Sequence, residues 1–216
     1  YGRWRMALKR RWSRIEPMKL EEKREALKLI KEEVLALADS PLYDYRVREK
    51  NLPVIGEGSH EARVMMIGEA PGKNEAKTGR PFCGSAGRIL DELLASINLP
   101  REQVYITNIV KDRPPRNRDP EPAEINCYGP FLDQQIEIIE PDIIATLGRF
   151  SMTYILTKFK LNNLVTIGQA HGQVFEATAS YGPIKIIPLY HPAAAIYNQQ
   201  LKTTLLTDMQ TLKKYL

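Results

Sequence analysis

The chain reads as an α/β protein built on a parallel sheet with helices on both faces. Three observations predict this. Four short apolar runs, at 63–68, 104–108, 142–148 and 184–190, have the length of strands, and segments of helical periodicity lie between them. The first run, with Met65, Met66 and Ile67, leads straight into a Gly/Pro-dense loop and then a strongly periodic helix, the order expected of a parallel unit. The length, 216 residues, suits one well-buried core and is short for two ordinary domains.

Taken in order, Leu27, Ile30, Val34 and Leu37 recur on one face between Leu20 and Asp39, which predicts a helix that stops at Ser40-Pro41. An irregular stretch runs to Ala62. After the strand at 63–68, the loop carries glycines at 68, 72, 79, 84 and 87, which leave the backbone open to a flat or anionic ligand. It has neither the Gly-Lys-Ser/Thr of a phosphate loop nor a GxGxxG fingerprint, and a purely structural turn would look the same. Ile89, Leu90, Leu93, Leu94 and Ile97 give the next helix its apolar face. The second strand delivers Asn108 at its end, and a loop rich in charge follows. Pro122 opens a helix reaching Glu140, with an interruption expected near Gly129-Pro130. The third strand, a short helix at 150–158, the fourth strand running into His191-Pro192, and a helix from about Gln200 complete the pattern.

A hydrophobic content of 43% with 26% charged residues is that of a soluble globular protein, and no apolar run approaches the ~18 residues of a membrane span. Cys83 and Cys127 make no disulfide framework and no paired metal-ligand motif, which fits a reducing, cytoplasmic setting. The net charge of +5 comes from the start of the chain. Residues 1–15 hold Arg3, Arg5, Lys9, Arg10, Arg11 and Arg14 with no acid, and without them 25 cations face 26 acids. Trp4, Leu8, Trp12 and Ile15 make this segment a short basic amphipathic helix, suited to DNA, an anionic membrane or a targeting receptor. A solvated remnant fits equally, and the first residue, Tyr rather than Met, suggests a start further upstream. The expected division is a basic tail over 1–19 and one domain over 20–216.

Three polar loops follow three different strands: Glu69 with its glycines, Asn108 with the basic loop, and His191-Pro192-Ala193-Ala194. The carboxyl ends of parallel strands share one edge, so these loops are expected to converge in one cleft. An Asn at a strand end can donate and accept at once, which suits the edge of a nucleobase, and Phe82 can stack on a base face. His191 can stabilise charge developing on a carbonyl oxygen. Singly each has an ordinary explanation: Asn108 as a cap or turn, His191 as a satisfied surface histidine, Phe82 as core.

Gly-Glu-Ala-Pro-Gly, then Gly-Arg-Pro-Phe-x-Gly-x-Ala-Gly, Val-Tyr-Ile-Thr-Asn-x-Val-Lys-x-Arg-Pro-Pro-x-Asn-Arg and His-Pro-Ala-Ala follow in this order, and together they resemble the fourth family of the uracil-DNA glycosylase superfamily over roughly 40–215. The resemblance implies an α/β/α sandwich around a four-stranded parallel sheet, acting on uracil-containing DNA, single- or double-stranded, by hydrolysing the N-glycosidic bond, as a monomer. It places Gly68 and Glu69 at the attacking water and sugar, Gly68 and Ala70 among the uracil-binding residues, and Glu75, an acidic position of the first motif, with Glu69 and His191 among the catalytic ones. The next position, usually acidic, is Ala76. Phe82 would stack on the flipped uracil, Asn108 would bond its pairing edge, and His191 would face the oxygen that gains charge. Pro192, Ala193 and Ala194 would press into the minor groove as an apolar wedge. Lys111, Arg113, Arg116 and Arg118 would meet phosphates, and His171, where the family usually has Arg, would keep or lose such a contact.

The resemblance also implies a four-cysteine iron–sulfur cluster, and here the chain departs from it. The first three ligand positions fall at Leu37, Ser40 and Asp112, and the fourth at or one place from Cys127. One thiolate cannot hold a cluster that needs four ligands, so neither cluster nor other metal is expected. Leu37 is expected as the apolar replacement, with Ser40 and Asp112 as local hydrogen-bond partners and Asp112 ion-paired to Lys111, Arg113 and nearby arginines. The chain reads as a monofunctional glycosylase. A catalytically silent uracil- or damaged-DNA-binding protein is the first alternative, and a nucleotide-binding α/β protein the second.

Overall fold

The computed structural model describes residues 18–161 and 165–216, so the expected basic helix of residues 1–15 lies outside the described residues. The centre is a six-stranded sheet in the order β1-β3-β2-β4-β6-β5. Four strands are parallel: β2 (Val64–Gly68), β3 (Tyr105–Asn108), β4 (Ile143–Leu147) and β6 (Gly182–Leu189). These are the four apolar runs of the sequence. β2 and β4 are buried at every position, which is why they read as unbroken hydrophobic stretches rather than alternating ones.

Two antiparallel edge strands extend the expected sheet. β1 (Glu57–Gly58) pairs with β3, and β5 (Phe175–Ala179) pairs with β6. Neither is an apolar run: β1 is two residues long, and β5 alternates half-buried with exposed positions.

Strand alternation divides the core into two layers. Met65, Ile67, Ile144 and Ile186 face one side, where they meet α1 (Leu20–Leu35), α5 (Pro122–Ile139) and α6 (Arg149–Lys158) through Leu27, Ile30, Ile136 and Ile155. Val64, Met66, Ala145 and Ile187 face the other, against α4 (Ser85–Ser96) and α8 (Gln199–Lys213) through Leu90, Leu93, Leu205 and Met209. The result is a three-layer α/β/α sandwich. Each fully buried Leu or Ile of these layers contributes ~1.5–3 kcal/mol. Three short α-helices, α2 (Tyr43–Arg48), α3 (Lys73–Thr78) and α7 (Ile167–Ala170), and three 3-10 turns, at Arg101–Gln103, Pro115–Asn117 and Pro192–Ala195, complete the described elements.

The interruption expected at Gly129-Pro130 does not occur, for α5 runs through Pro130 unbroken. A proline costs one intrahelical hydrogen bond. Here Tyr128, Phe131 and Leu132 are buried on either side, and Gly129 lies against the Tyr154 ring so closely that a Cβ would sit 2.5 Å from its hydroxyl. Packing of this turn outweighs the lost bond. None of the described helices is long and apolar enough to cross a membrane.

Candidate active site

Strand register builds the site. Gly68 of β2 lies opposite Asn108 of β3, and Leu147 of β4 opposite Leu189 of β6, so the strands end along one edge. The segments leaving that edge enclose a cavity of about 340 Å³. Glu69, Ala70, Glu75, Phe82, Asn108, Arg118, His191 and Ala193 line it, together with Pro71, Gly72, Ala86, Pro114 and Asn117.

Two glycines make this geometry possible. A Cβ on Gly68 would stand 2.3 Å from Asn108 Oδ1 and 2.7 Å from Phe82 Cζ, so any larger residue would displace both. A Cβ on Gly87 would stand 1.8 Å from the Phe82 carbonyl oxygen. Phe82 itself sits at φ +46°, a left-handed conformation that bulky residues avoid. Glu75, in the first turn of α3, holds this loop in place: its Oε1 accepts from the Cys83 amide at 3.0 Å and the Gly84 amide at 2.9 Å, at the N-terminus of α4. The Phe82 ring then stands 5.6 Å from the His191 ring, tilted by 31°.

The polar groups of the cavity are tuned by burial. Glu69 is pushed up to about 7, first by desolvation and then by Asp119, with Arg149 opposing. It therefore exchanges a proton near neutrality. Burial pushes His191 down to about 4, with Glu75 opposing, so its ring is neutral at physiological pH. His191 Nδ1 accepts the Ala193 amide at 3.1 Å, which leaves the proton on Nε2. Asn108 is 2% exposed, and its Oδ1 is a buried acceptor with no partner. Such a group costs ~1–3 kcal/mol if left unsatisfied.

The basic loop is not a row of free cations. Lys111, expected to meet phosphate, is wholly buried, and its Nζ donates to Gln135 Oε1 (2.6 Å), the Asn108 carbonyl (2.6 Å) and Thr107 Oγ1 (2.9 Å). Burial lowers its proton affinity well below the ordinary lysine value. Three acceptors use all three of its donors, so Lys111 clamps the end of β3 and does not reach a phosphate. Arg118 lines the cavity but forks onto Glu124 at 2.6 and 2.9 Å. Arg113 bonds Asn117 Oδ1 at 2.6 Å, while Arg116 is exposed; neither lines the cavity. His171 lies apart, with Nδ1 2.8 Å from Asp208 Oδ2 and its ring 4.6 Å from Tyr190. Of the expected wedge, Ala193 and Ala194 are exposed and Pro192 is buried. Gly68 is not among the lining residues; it packs against Asn108 and Phe82, which are.

At the cluster positions the donor set does not fit a four-thiolate cluster. Ser40 and Asp112 are buried and joined through Tyr128, whose hydroxyl stands 2.5 Å from Ser40 Oγ and donates to Asp112 Oδ2 at 2.5 Å. Arg46 of α2, also buried, donates from Nη1 to Asp112 Oδ2 at 3.0 Å and to the Val34 carbonyl, and from Nη2 to the Leu35 carbonyl. Asp112 therefore pairs with Arg46, not with Lys111 or Arg113, because Lys111 turns inward to β3. Leu37 is half-buried against the core. The link between the end of α1 and the loop at 112 is thus a long-range polar network, with Leu37 as a secondary contact. Among the described residues no group of three or more His, Cys, Asp and Glu could hold a metal ion.

Sequence reasoning missed Arg46, Asp119, Gln135 and Arg149. Arg149 had a signal, since it follows Gly148 at the end of the third parallel strand, and Asn117 stands in the Pro-Pro-x-Asn-Arg motif. Arg46 and Gln135 had none, because their partners are 66 and 24 residues away.

Comparison with known proteins agrees with this architecture. The family model of the uracil DNA glycosylase superfamily matches residues 55–212. A type-4 uracil-DNA glycosylase of Sulfurisphaera tokodaii is 44% identical over 88% of this chain and 84% of its own length. Its counterparts from Archaeoglobus fulgidus (45% identical; 73% of this chain, 78% of that protein) and Thermotoga maritima (38%; 89% and 95%) are similar. With the match running from β1 to the last helix, the chain belongs to the uracil-DNA glycosylase superfamily.

Proposed function

We propose that the chain excises uracil from DNA by hydrolysing its N-glycosidic bond, leaving an abasic site, as a base-excision repair hydrolase. The observation that carries this reading is Asn108 Oδ1, a buried acceptor without a donor, beside the Phe82 ring and the neutral His191. A base extruded from the stack offers an apolar face, an N–H and carbonyl oxygens. Phe82 takes the face, Asn108 Oδ1 accepts the N3–H, and His191 Nε2–H donates to O2. As the bond from C1′ to N1 breaks, its electron pair passes into the uracil ring and charge grows on O2. A donor already in place there stabilises the transition state without reorganising. Water adds to C1′, and its proton passes to Glu69, a base whose raised affinity suits proton transfer near neutral pH. Glu75 positions the Phe82 loop.

The chain acts without an iron–sulfur cluster, as a monomer, in the cytoplasm or on the nucleoid, with residues 1–19 as a basic tail on a catalytic domain over 20–216. What supports the absence of the cluster is the donor set at Leu37, Ser40 and Asp112 and the hydrogen bonds that occupy it. The direct assay is incubation with a uracil-containing oligonucleotide followed by alkali cleavage of abasic sites. Product above a buffer control is expected. Folded protein that binds the oligonucleotide without product would make it the catalytically silent binder.

A further inference from the structure

We propose that Tyr197 is the side chain that fills the place of the extruded nucleotide when the substrate is duplex DNA; this rests on the uracil-excision reading. Taking a base out of the stack leaves a gap, and proteins that open such gaps offset the lost stacking with an inserted apolar or aromatic wedge. The loop after β6 stands at the cavity mouth, since His191 and Ala193 line the cavity. Its small residues do not fill a gap of base size: Pro192 is buried, and Ala193 and Ala194 offer one methyl each.

Tyr197 does have the size. It is 98% exposed, and the next most exposed of the large apolar side chains among the described residues is Val47 at 57%. A tyrosine so placed has a flat face in water and a hydroxyl to keep it soluble, the combination found on surfaces that dock aromatic partners. It is close in the chain to the cavity lining: Ala193 lines the cavity, and Tyr197 follows two residues after the 3-10 turn Pro192–Ala195 in the same loop.

The support beneath it is firm. The Ala194 amide donates to the His191 carbonyl at 2.9 Å and the Ile196 amide to Ala193 at 3.3 Å. Ala195 is buried in the second core layer, and Asn198 caps α8 by accepting the Leu201 amide at 3.1 Å. A fully exposed ring is thus carried by a loop anchored on both sides, which limits the order lost on insertion.

The test compares single-turnover excision from a uracil-containing duplex and from the same oligonucleotide single-stranded, for the wild type, Tyr197→Ala and Tyr197→Phe. Stacking on a base carries enough energy that its loss lowers the ratio of duplex to single-strand rates about tenfold in Tyr197→Ala. Tyr197→Phe keeps the wild-type ratio. A ratio within twofold of wild type in Tyr197→Ala overturns the proposal, and so does a Phe variant as impaired as the Ala variant, which would assign the hydroxyl instead of the ring. Wild-type protein that excises from neither substrate overturns the excision reading itself, and Tyr197 with it. Circular dichroism melts of the variants check the fold, which an exposed side chain does not support.

Discussion

Asp112→Asn tests whether a buried ion pair ties the end of α1 to the loop after β3. The change conserves volume and keeps an acceptor for Tyr128 while removing the charge opposite Arg46. The Arg46 and Asp112 side chains are 6% and 1% exposed, so solvent cannot replace the lost partner. The Arg46 guanidinium would keep its bonds to the Val34 and Leu35 carbonyls, yet its charge would be buried without compensation. Breaking one side of such a pair costs ~3–5 kcal/mol. For a domain of this size ~1 kcal/mol moves the melting temperature by about 2–4 °C, so a fall of roughly 6–20 °C is expected. Ser40→Ala, which removes one neutral hydroxyl from the same network, should cost only ~1 kcal/mol. Replacing both charges, as in Arg46→Met with Asp112→Leu, should recover much of the loss, because the pair itself is offset by its desolvation. Urea unfolding of the wild type and these three variants gives each cost. A cost for Asp112→Asn below ~1 kcal/mol, the range of an exposed pair, would refute the network as the structural link. Iron analysis of the same samples should find none, and brown protein with stoichiometric iron would refute the proposed replacement of the cluster.

The remaining predictions concern the cavity. Glu69, raised to about 7, must lose its proton to act as a base, so kcat/KM should rise with pH through about 7. Asp119→Asn removes a neighbouring negative charge and should move this limb to lower pH, and Arg149→Ala should move it higher; a limb unmoved in both would detach Glu69 from the profile. His191→Ala should lower the single-turnover rate about 10²–10³-fold with little change in DNA affinity, the effect of an oxyanion donor. An equal loss in affinity would instead make His191 a binding group. Lys111→Met should destabilise the fold, since the buried Gln135 Oε1 and Asn108 carbonyl lose their donor at ~1–3 kcal/mol for each group left unsatisfied. It should leave the salt dependence of DNA affinity unchanged, whereas a phosphate contact would lower the slope by about 0.9.

How far the sequence carries depends on whether a residue's environment is made by its neighbours in the chain or by distant ones. The four parallel strands are legible because burial on both faces forces continuous apolar runs. β5 is not, because an edge strand with one solvated face needs only Phe175, Ala177 and Ala179 half-buried, and Ala carries little strand signal. α3 hides within the glycine-rich loop, since six residues between Gly72 and Gly79 are too few to display a helical period. Glu69, Asn108 and His191 are legible as a group because parallel strands end on one edge, whatever their side chains do there.

Lys111 and Asp112 show where that logic stops. Adjacent, oppositely charged and set in a basic loop, they read as a solvated pair near phosphate. The strand end turns them to different networks: Lys111 under Asn108 with Thr107 and Gln135, Asp112 toward Arg46, Tyr128 and Ser40. Both networks use α5, through Gln135 and Tyr128, the second adds Arg46 of α2, and both hold the segment from which Asn108 projects. The unpartnered acceptor of Asn108 thus belongs to the residue whose backbone carbonyl takes a hydrogen bond from Lys111. The orphaned Oδ1 is informative because Thr107 and Lys111 at the same strand end have their side-chain polar atoms bonded, and of the two orphaned carboxamide or carboxylate oxygens there, Asn108 Oδ1 and Asp112 Oδ1, only the first belongs to a residue that lines the cavity.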